Sequence, residues 1–101
     1  MRARLADHSR YWRAGLTAAG FRLLAGEHPI IPVMIGEALL AQAFAAALDK
    51  RGVMVSAFFF PVVARGAARI RTQMNAALTR EDLDFALDAF ATAGREVGVL
   101  A

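Results

Sequence analysis

An arginine in the middle of an alternating segment is the residue of this chain best suited to binding chemistry. Over Arg69–Met74 polar and apolar side chains alternate, which is the two-residue period of a strand with one buried and one polar face. Arg69, Arg71 and Gln73 share the polar face, and Arg71 lies at its centre. A planar guanidinium on a rigid strand suits bidentate binding of a carboxylate. The same alternation is also typical of a solvated strand face, so the pattern alone leaves both interpretations open.

The other titratable side chains favour structural roles. Lys50, the only lysine, falls in the last turn of a predicted helix, where a lysine faces water and complements the helix dipole. The acidic residues of Glu81–Asp88 fall in the first turns of another helix, where negative charge is stabilising. His8 and His28 are too far apart in sequence to form a metal-binding pair, and there is no cysteine and no glycine-rich phosphate loop. No catalytic residue, metal ligand or cofactor-binding residue is therefore predicted in this chain.

Hydrophobic periodicity and turn residues predict the elements that position these side chains. Apolar residues at helical spacing indicate helices, and short apolar or alternating runs between glycines and prolines indicate strands. In chain order the predicted elements are a helix over Arg2–Ala19, a short extended piece over Phe21–Leu24, a turn over Gly26–Pro29, a strand over Ile30–Ile35, a helix over Glu37–Arg51, a strand over Val53–Phe60, a loop over Ala64–Ala67, the strand Arg69–Met74 and a last helix that begins after Thr79.

Local signals mark the ends of the predicted helices. Gly20 and Gly52 follow the first two helices and are expected to end them in the left-handed conformation. Thr79 and Asp82 have the spacing of a capping box at the start of the last helix. Pro32 interrupts a predicted strand and cannot donate a ladder hydrogen bond, so we expect it at a sheet edge or an irregularity.

The order of elements predicts one α+β domain over residues 1–101. The length of 101 residues suffices for one small domain but not for two. Helices alternate with a few short strands, which favours a two-layer architecture. We therefore expect a small sheet, mainly antiparallel or mixed, with helices packed mainly on one face.

Composition narrows the classes of function. The hydrophobic fraction of 57% exceeds the usual share in soluble domains, so we expect either an alanine- and leucine-rich core or an apolar surface that packs against another domain.

The longest apolar segment, Ala38–Leu48, is too short to span a bilayer, and no signal peptide is recognised. The net charge of +3 comes from arginines spread along the chain, which argues against nucleic-acid binding. We expect a cytoplasmic protein that binds neither membrane nor nucleic acid.

Several segments together resemble a known family. They are Ile30–Gly36, Arg51–Val53, Phe58–Val63, Ala68–Met74 and the terminal Gly98–Ala101. The chain resembles the C-terminal domain of the 2-amino-3-ketobutyrate CoA ligases, also called glycine C-acetyltransferases, in the α-oxoamine synthase group of fold-type I enzymes that use pyridoxal 5'-phosphate (PLP). The sequence Ala-Arg-Ile-Arg-Thr-Gln-Met is its most specific part; the related 8-amino-7-oxononanoate and 5-aminolevulinate synthases carry distinguishable versions.

The resemblance implies an activity and a role for particular residues. The family is a group of homodimeric acyltransferases, and this branch interconverts glycine plus acetyl-CoA with 2-amino-3-oxobutyrate plus CoA in threonine catabolism. The arginine of the C-terminal motif binds the substrate carboxylate, and this role falls on Arg71. The stretch of Phe60, Pro61 and Val62 should approach the mouth of the active site, although family members commonly carry a tyrosine where this chain has Phe60.

The resemblance also implies what these 101 residues do not contain. In the family, the cofactor lysine, the phosphate-binding loop and the other PLP-contacting groups belong to a large domain. We therefore expect this chain to bind no PLP alone, to be inactive by itself, and to need a large PLP-binding domain as its partner. The alternative is a stand-alone α+β binding or interaction module without catalysis, and a basic nucleic-acid binder ranks last.

Overall fold

The computed structural model describes residues 2–23, 30–53, 55–58, 63, 65–73 and 78–100. Within these ranges the chain forms three helices and four strands. In chain order they are α1 (Arg2–Ala19), β1 (Arg22–Leu23), β2 (Ile30–Gly36), α2 (Ala38–Lys50), β3 (Ser56–Phe58), β4 (Ala68–Gln73) and α3 (Arg80–Val97).

The strands form one antiparallel sheet in the order β1-β2-β4-β3. Ile31 and Val33 of β2 and Ile70 and Thr72 of β4 are buried on the face that belongs to the hydrophobic core. Arg71, which lies between two of them on β4, is exposed on the other face. The helices therefore cover one face of the sheet, and the opposite face is open. This arrangement confirms the predicted two-layer α+β fold.

The core is built around four aromatic rings, one from each of the three helices and one from Phe21, which lies between α1 and β1. Phe90 of α3 meets Trp12 of α1 edge to face at 5.2 Å between centroids, and meets Phe44 of α2 in the same way at 5.4 Å. Phe21 stacks on Phe44 at 5.7 Å. Such offset and perpendicular contacts are the favoured geometries of aromatic pairs. The rings place α3 against both α1 and α2.

Left-handed glycines end the first two helices, as predicted. Gly20 has a φ of 110° and Gly52 a φ of 83°, a conformation that other residues adopt only with strain. After α2 the N–H of Val53 donates to the carbonyl of Leu48 at 2.9 Å, which completes a Schellman motif. The described β3 begins at Ser56 and not at Val53 as predicted, and the Val53 N–H belongs to the end of α2.

Of the two predicted positions of Pro32, a sheet edge or an irregularity, the structure excludes an edge strand. β2 is an inner strand, between β1 and β4. The described part of β1 pairs only with Val33 and Met34, whereas Pro32 pairs with Arg71 of β4. Among the described residues Pro32 thus pairs with β4 alone, where its missing N–H removes at most one donor from the sheet.

The predicted capping box opens α3. The Asp82 N–H donates to the Thr79 hydroxyl at 3.1 Å, and the Thr79 N–H donates to the Asp82 carboxylate at 2.9 Å. The hydrogen bond from the Thr79 backbone, followed by the contact with the Thr79 side chain, lowers the pKa of Asp82 below its ordinary value. The cap therefore uses the ionised form of Asp82.

The apolar surplus is divided between the core and the surface. Two large hydrophobic side chains are strongly exposed among the described residues, Leu39 at 80% and Phe85 at 59%. Among the described helices, none combines the length and apolar composition that crossing a membrane requires. Small side chains fill much of the core, which contains Ala41, Ala47, Ala68, Ala89 and Ala93.

Candidate functional site

Arg71 lies on β4 in the open face of the sheet. The alternation that the sequence predicts is present: Ile70 and Thr72 are buried, and Arg71 between them is exposed. Its cross-strand neighbours are Pro32 of β2 and Ser56 of β3. The backbone of Arg71 is thus held on both sides by antiparallel strands, and its side chain is exposed.

Neighbouring side chains define the position of the Arg71 head group. Its guanidinium carbon lies 5.1 Å from the centroid of the Phe58 ring on β3, which is within the range of a cation–π interaction. The Arg69 Nε donates to the carbonyl of Ala67 at 3.2 Å, so the second arginine of this face is tied to its own strand. Arg69 therefore has a structural contact, and Arg71 has a head group that remains accessible.

A groove of about 450 Å³ opens beside Arg71. Next to it, a buried hydrogen-bond chain ties three elements together. The Trp12 indole Nε1 donates to the Thr72 hydroxyl at 2.9 Å, and that hydroxyl donates to the Ile31 carbonyl at 2.7 Å. Since Thr72 directly follows Arg71, the chain anchors β4 to α1 and β2 at the candidate site. The groove is lined by Trp12, Val53, Val55, Ser56, Arg71, Thr72, Leu78, Asp82, Leu83, Ala86 and Phe90.

The electrostatics of the groove favour an anionic ligand. Among the described residues no carboxylate forms an ion pair with Arg71. The one carboxylate among the described lining residues of the groove, Asp82, is already bonded to the Thr79 backbone. An exposed guanidinium offers several N–H donors in one plane, and its natural partner is a carboxylate. The described part of the site can bind and orient an anion, but it contains no nucleophile with a base beside it.

The remaining predicted residues lie away from this groove. Lys50 is exposed in the last turn of α2, as predicted. His8 is buried in α1, and the part of the chain that the structure describes contains no cluster of His, Asp or Glu that could hold a metal ion. The predicted active-site mouth and one predicted turn residue lie outside the described residues, namely Phe60, Pro61, Val62 and His28.

Two contacts of the site were missed by the sequence predictions. Thr72 could have been noticed, because a hydroxyl on the buried face of an alternating strand requires a hydrogen-bond partner. Its partner Trp12 lies 60 residues away in sequence, and no local pattern connects the two. The contact of Phe58 with Arg71 depends on the register of β3 against β4, which the aromatic run around Phe58 does not reveal.

Comparison with known proteins identifies similar chains along the whole length. Residues 1–90 match the family described as aminotransferase class I and II. The chain is 50% identical to a 2-amino-3-ketobutyrate coenzyme A ligase of Salmonella typhimurium over 101 residues, which is all of this chain and 25% of that protein. It is 43% identical to the mitochondrial 2-amino-3-ketobutyrate coenzyme A ligase of Homo sapiens over 96 residues, 95% of this chain and 23% of the human protein.

Solved structures agree with the fold. A serine palmitoyltransferase from S. paucimobilis, solved with a bound PLP–myriocin aldimine, superposes with a TM-score of 0.90 at 32% identity, and the match covers 98% of this chain and 25% of that one. The resemblance inferred from the sequence is thereby confirmed. The chain spans about a quarter of the length of the relatives that it matches.

The residues described in this chain do not fit PLP by themselves. A PLP enzyme needs a lysine close to the substrate groups. Lys50, the only lysine of the sequence, lines a groove together with Phe85 and Asp88, and that groove shares no residue with the one beside Arg71. The arrangement supports binding of a substrate group and provides no described attachment site for the cofactor.

Proposed function

The chain belongs to the aminotransferase class I and II family, and we propose that it is the C-terminal, substrate-binding domain of a PLP-dependent glycine C-acetyltransferase. The complete enzyme would interconvert glycine plus acetyl-CoA with 2-amino-3-oxobutyrate plus CoA. The observation that carries this proposal is the exposed Arg71, which has no carboxylate partner among the described residues. The 50% identity to the Salmonella ligase over the whole chain supports the choice of this branch.

In this proposal Arg71 binds the carboxylate that glycine and 2-amino-3-oxobutyrate share. The guanidinium edge presents two parallel N–H donors, which match the two oxygens of a carboxylate. A lysine at the same position would keep the charge but lose this geometry. The strands on both sides of β4 and the buried Thr72 hydroxyl keep the backbone of Arg71 in place. The contribution of this domain is therefore recognition and orientation of the amino acid substrate.

The cofactor and the reacting groups belong, in this proposal, to a large PLP-binding domain. The position of Lys50 away from Arg71 supports this division. We propose that the complete enzyme is a cytoplasmic homodimer that acts in threonine catabolism, and that Phe60, Pro61 and Val62 approach the mouth of its active site. The open face of the sheet, which carries Arg71, would then face the large domain.

The decisive experiment is an Arg71→Gln substitution in the complete enzyme that carries this domain. Loss of a bidentate charged hydrogen bond should raise the KM for glycine about 10- to 100-fold, which corresponds to about 1.5–3 kcal/mol. Arg22→Gln is the matched control, since Arg22 is also an exposed arginine of a strand, at the far side of the sheet. An unchanged KM in Arg71→Gln would remove Arg71 from the substrate site.

A second experiment tests whether the 101-residue chain is inactive alone. Addition of PLP to the purified chain should produce no stable absorbance band of a lysine-linked adduct, because Lys50 lines a separate groove that shares no residue with the one beside Arg71. Lys50→Arg serves as a control for adventitious modification. A stable band that disappears in Lys50→Arg would contradict the proposed division of labour, and tight glycine binding without PLP would favour a stand-alone binding module.

A further inference from the structure

We infer that Phe58 is a positioning residue that holds the Arg71 guanidinium ready for a carboxylate, an inference that rests on the proposed role of Arg71. The contact itself joins two strands. Register between β3 and β4 pairs Ser56 with Arg71 and Phe58 with Arg69. Phe58 and Arg71 are therefore diagonal neighbours on the open face, a separation that a long side chain and an aromatic ring can bridge. The guanidinium carbon lies 5.1 Å from the ring centroid.

A guanidinium that lies flat on an aromatic ring keeps its binding edge free. A cation–π contact uses the flat face of the guanidinium, whereas a carboxylate binds in its plane through the N–H donors. The two interactions therefore do not compete for the same atoms of Arg71. Phe58 is half-buried and Arg71 is exposed, so the ring contacts a head group that solvent and ligand can reach.

The neighbouring arginine is directed away from this support. Arg69 lies directly opposite Phe58 in the ladder, but its Nε donates to the Ala67 carbonyl at 3.2 Å. This bond holds Arg69 toward the beginning of β4. The positive charge of Arg69 remains on the same face and adds to the attraction for an anion.

Restraint before binding increases affinity. An arginine side chain has several rotatable bonds, and it loses that freedom when it binds a ligand in one orientation. A side chain already stacked on a ring has lost part of this freedom before the ligand arrives, so less is lost on binding. Phe58 therefore acts through Arg71 and is not expected to touch the carboxylate.

The test uses the 101-residue chain, NMR spectroscopy and sodium acetate as the carboxylate probe. Phe58→Leu removes the ring and keeps an apolar side chain, and Phe58→Tyr is the matched variant that keeps the ring. Ring-current shifts of the Arg71 side-chain protons report the stacking, and Arg71→Gln identifies their signals. Thermal unfolding of each variant reports whether the fold is retained; if Phe58→Leu does not fold, Phe58→Ile provides a second ring-free variant.

We expect Phe58→Leu to abolish the ring-current shift and to weaken acetate binding about two- to fivefold, which is part of the cost of ordering one long side chain on binding. Phe58→Tyr should preserve both. If Arg71→Gln removes acetate binding but folded Phe58→Leu binds as wild type does, or if wild type shows no ring-current shift, the role of Phe58 is refuted and the proposed function stands. If wild type does not bind acetate, or if Arg71→Gln binds acetate as well as wild type does, the carboxylate role of Arg71 fails, and the role of Phe58 fails with it.

Discussion

Removal of one buried hydroxyl, that of Thr72, should destabilise the domain strongly. This hydroxyl accepts from the Trp12 indole at 2.9 Å and donates to the Ile31 carbonyl at 2.7 Å. All three residues are nearly fully buried. In Thr72→Val the side chain keeps its shape, but the indole N–H and the carbonyl lose their shared partner in a place that water does not reach.

The size of the effect follows from the cost of unsatisfied polar groups. A buried donor without an acceptor costs about 1–3 kcal/mol, and loss of the second hydrogen bond adds about 1 kcal/mol. We therefore expect Thr72→Val to lower the free energy of unfolding by about 2–4 kcal/mol. For a domain of this size each 1 kcal/mol shifts Tm by about 4–8 °C, so Tm should fall by at least about 8 °C.

Urea and thermal unfolding, followed by far-ultraviolet circular dichroism, measure this loss. Thr72→Ser is the control, since it keeps the hydroxyl and removes only a methyl group, at a cost of about 1 kcal/mol. A double-mutant cycle with Trp12→Phe should show a coupling above about 0.5 kcal/mol. If Thr72→Val proves as stable as Thr72→Ser, or if the cycle shows no coupling, the hydrogen-bond chain does not stabilise the fold as argued.

Three further predictions concern helix ends. Thr79→Ala should lower the free energy of unfolding by about 1 kcal/mol, because the first turn of α3 loses its cap; Thr79→Ser should retain most of it in the same denaturation assay. The capping bonds lower the pKa of Asp82 in the folded state. The stabilisation by ionised Asp82 is therefore complete at pH values above the pKa of an aspartate in the unfolded chain, and it is lost as the pH falls through the lowered pKa of the folded state. The stability difference between wild type and Asp82→Asn should therefore narrow on acidification, and a constant difference would contradict the cap. Gly52→Ala should cost about 1 kcal/mol from the left-handed backbone alone, since the added Cβ would meet no described atom within 4 Å; Gly52→Asn should cost less.

Local chemistry made several features of this fold predictable. The left-handed ends at Gly20 and Gly52 and the capping box of Thr79 and Asp82 involve atoms only a few residues apart. The alternation around Arg71 reports which face of a strand is buried without reference to the rest of the sheet. Such signals depend on backbone geometry within one turn or one strand, and for that reason the amino-acid order alone contains them.

Other features depended on which elements meet. Pro32 lies in an inner strand whose described pairing with β1 covers only Val33 and Met34, and the Val53 N–H bonds to the end of α2 and not to a neighbouring strand. In both cases the backbone pairing of the segment depends on a neighbouring element that the sequence of the segment does not specify.

The candidate site shows the same division. The sequence by itself determined that Arg71 is the exposed cation of a half-buried strand, and its resemblance to a family suggested a carboxylate as the ligand. Only the tertiary structure decided that Phe58 supports the guanidinium and that Trp12, through Thr72, anchors the strand from 60 residues away. Periodicity reports the face on which a side chain lies, but the partner across that face is selected by strand register and helix packing, which arise when the whole chain folds.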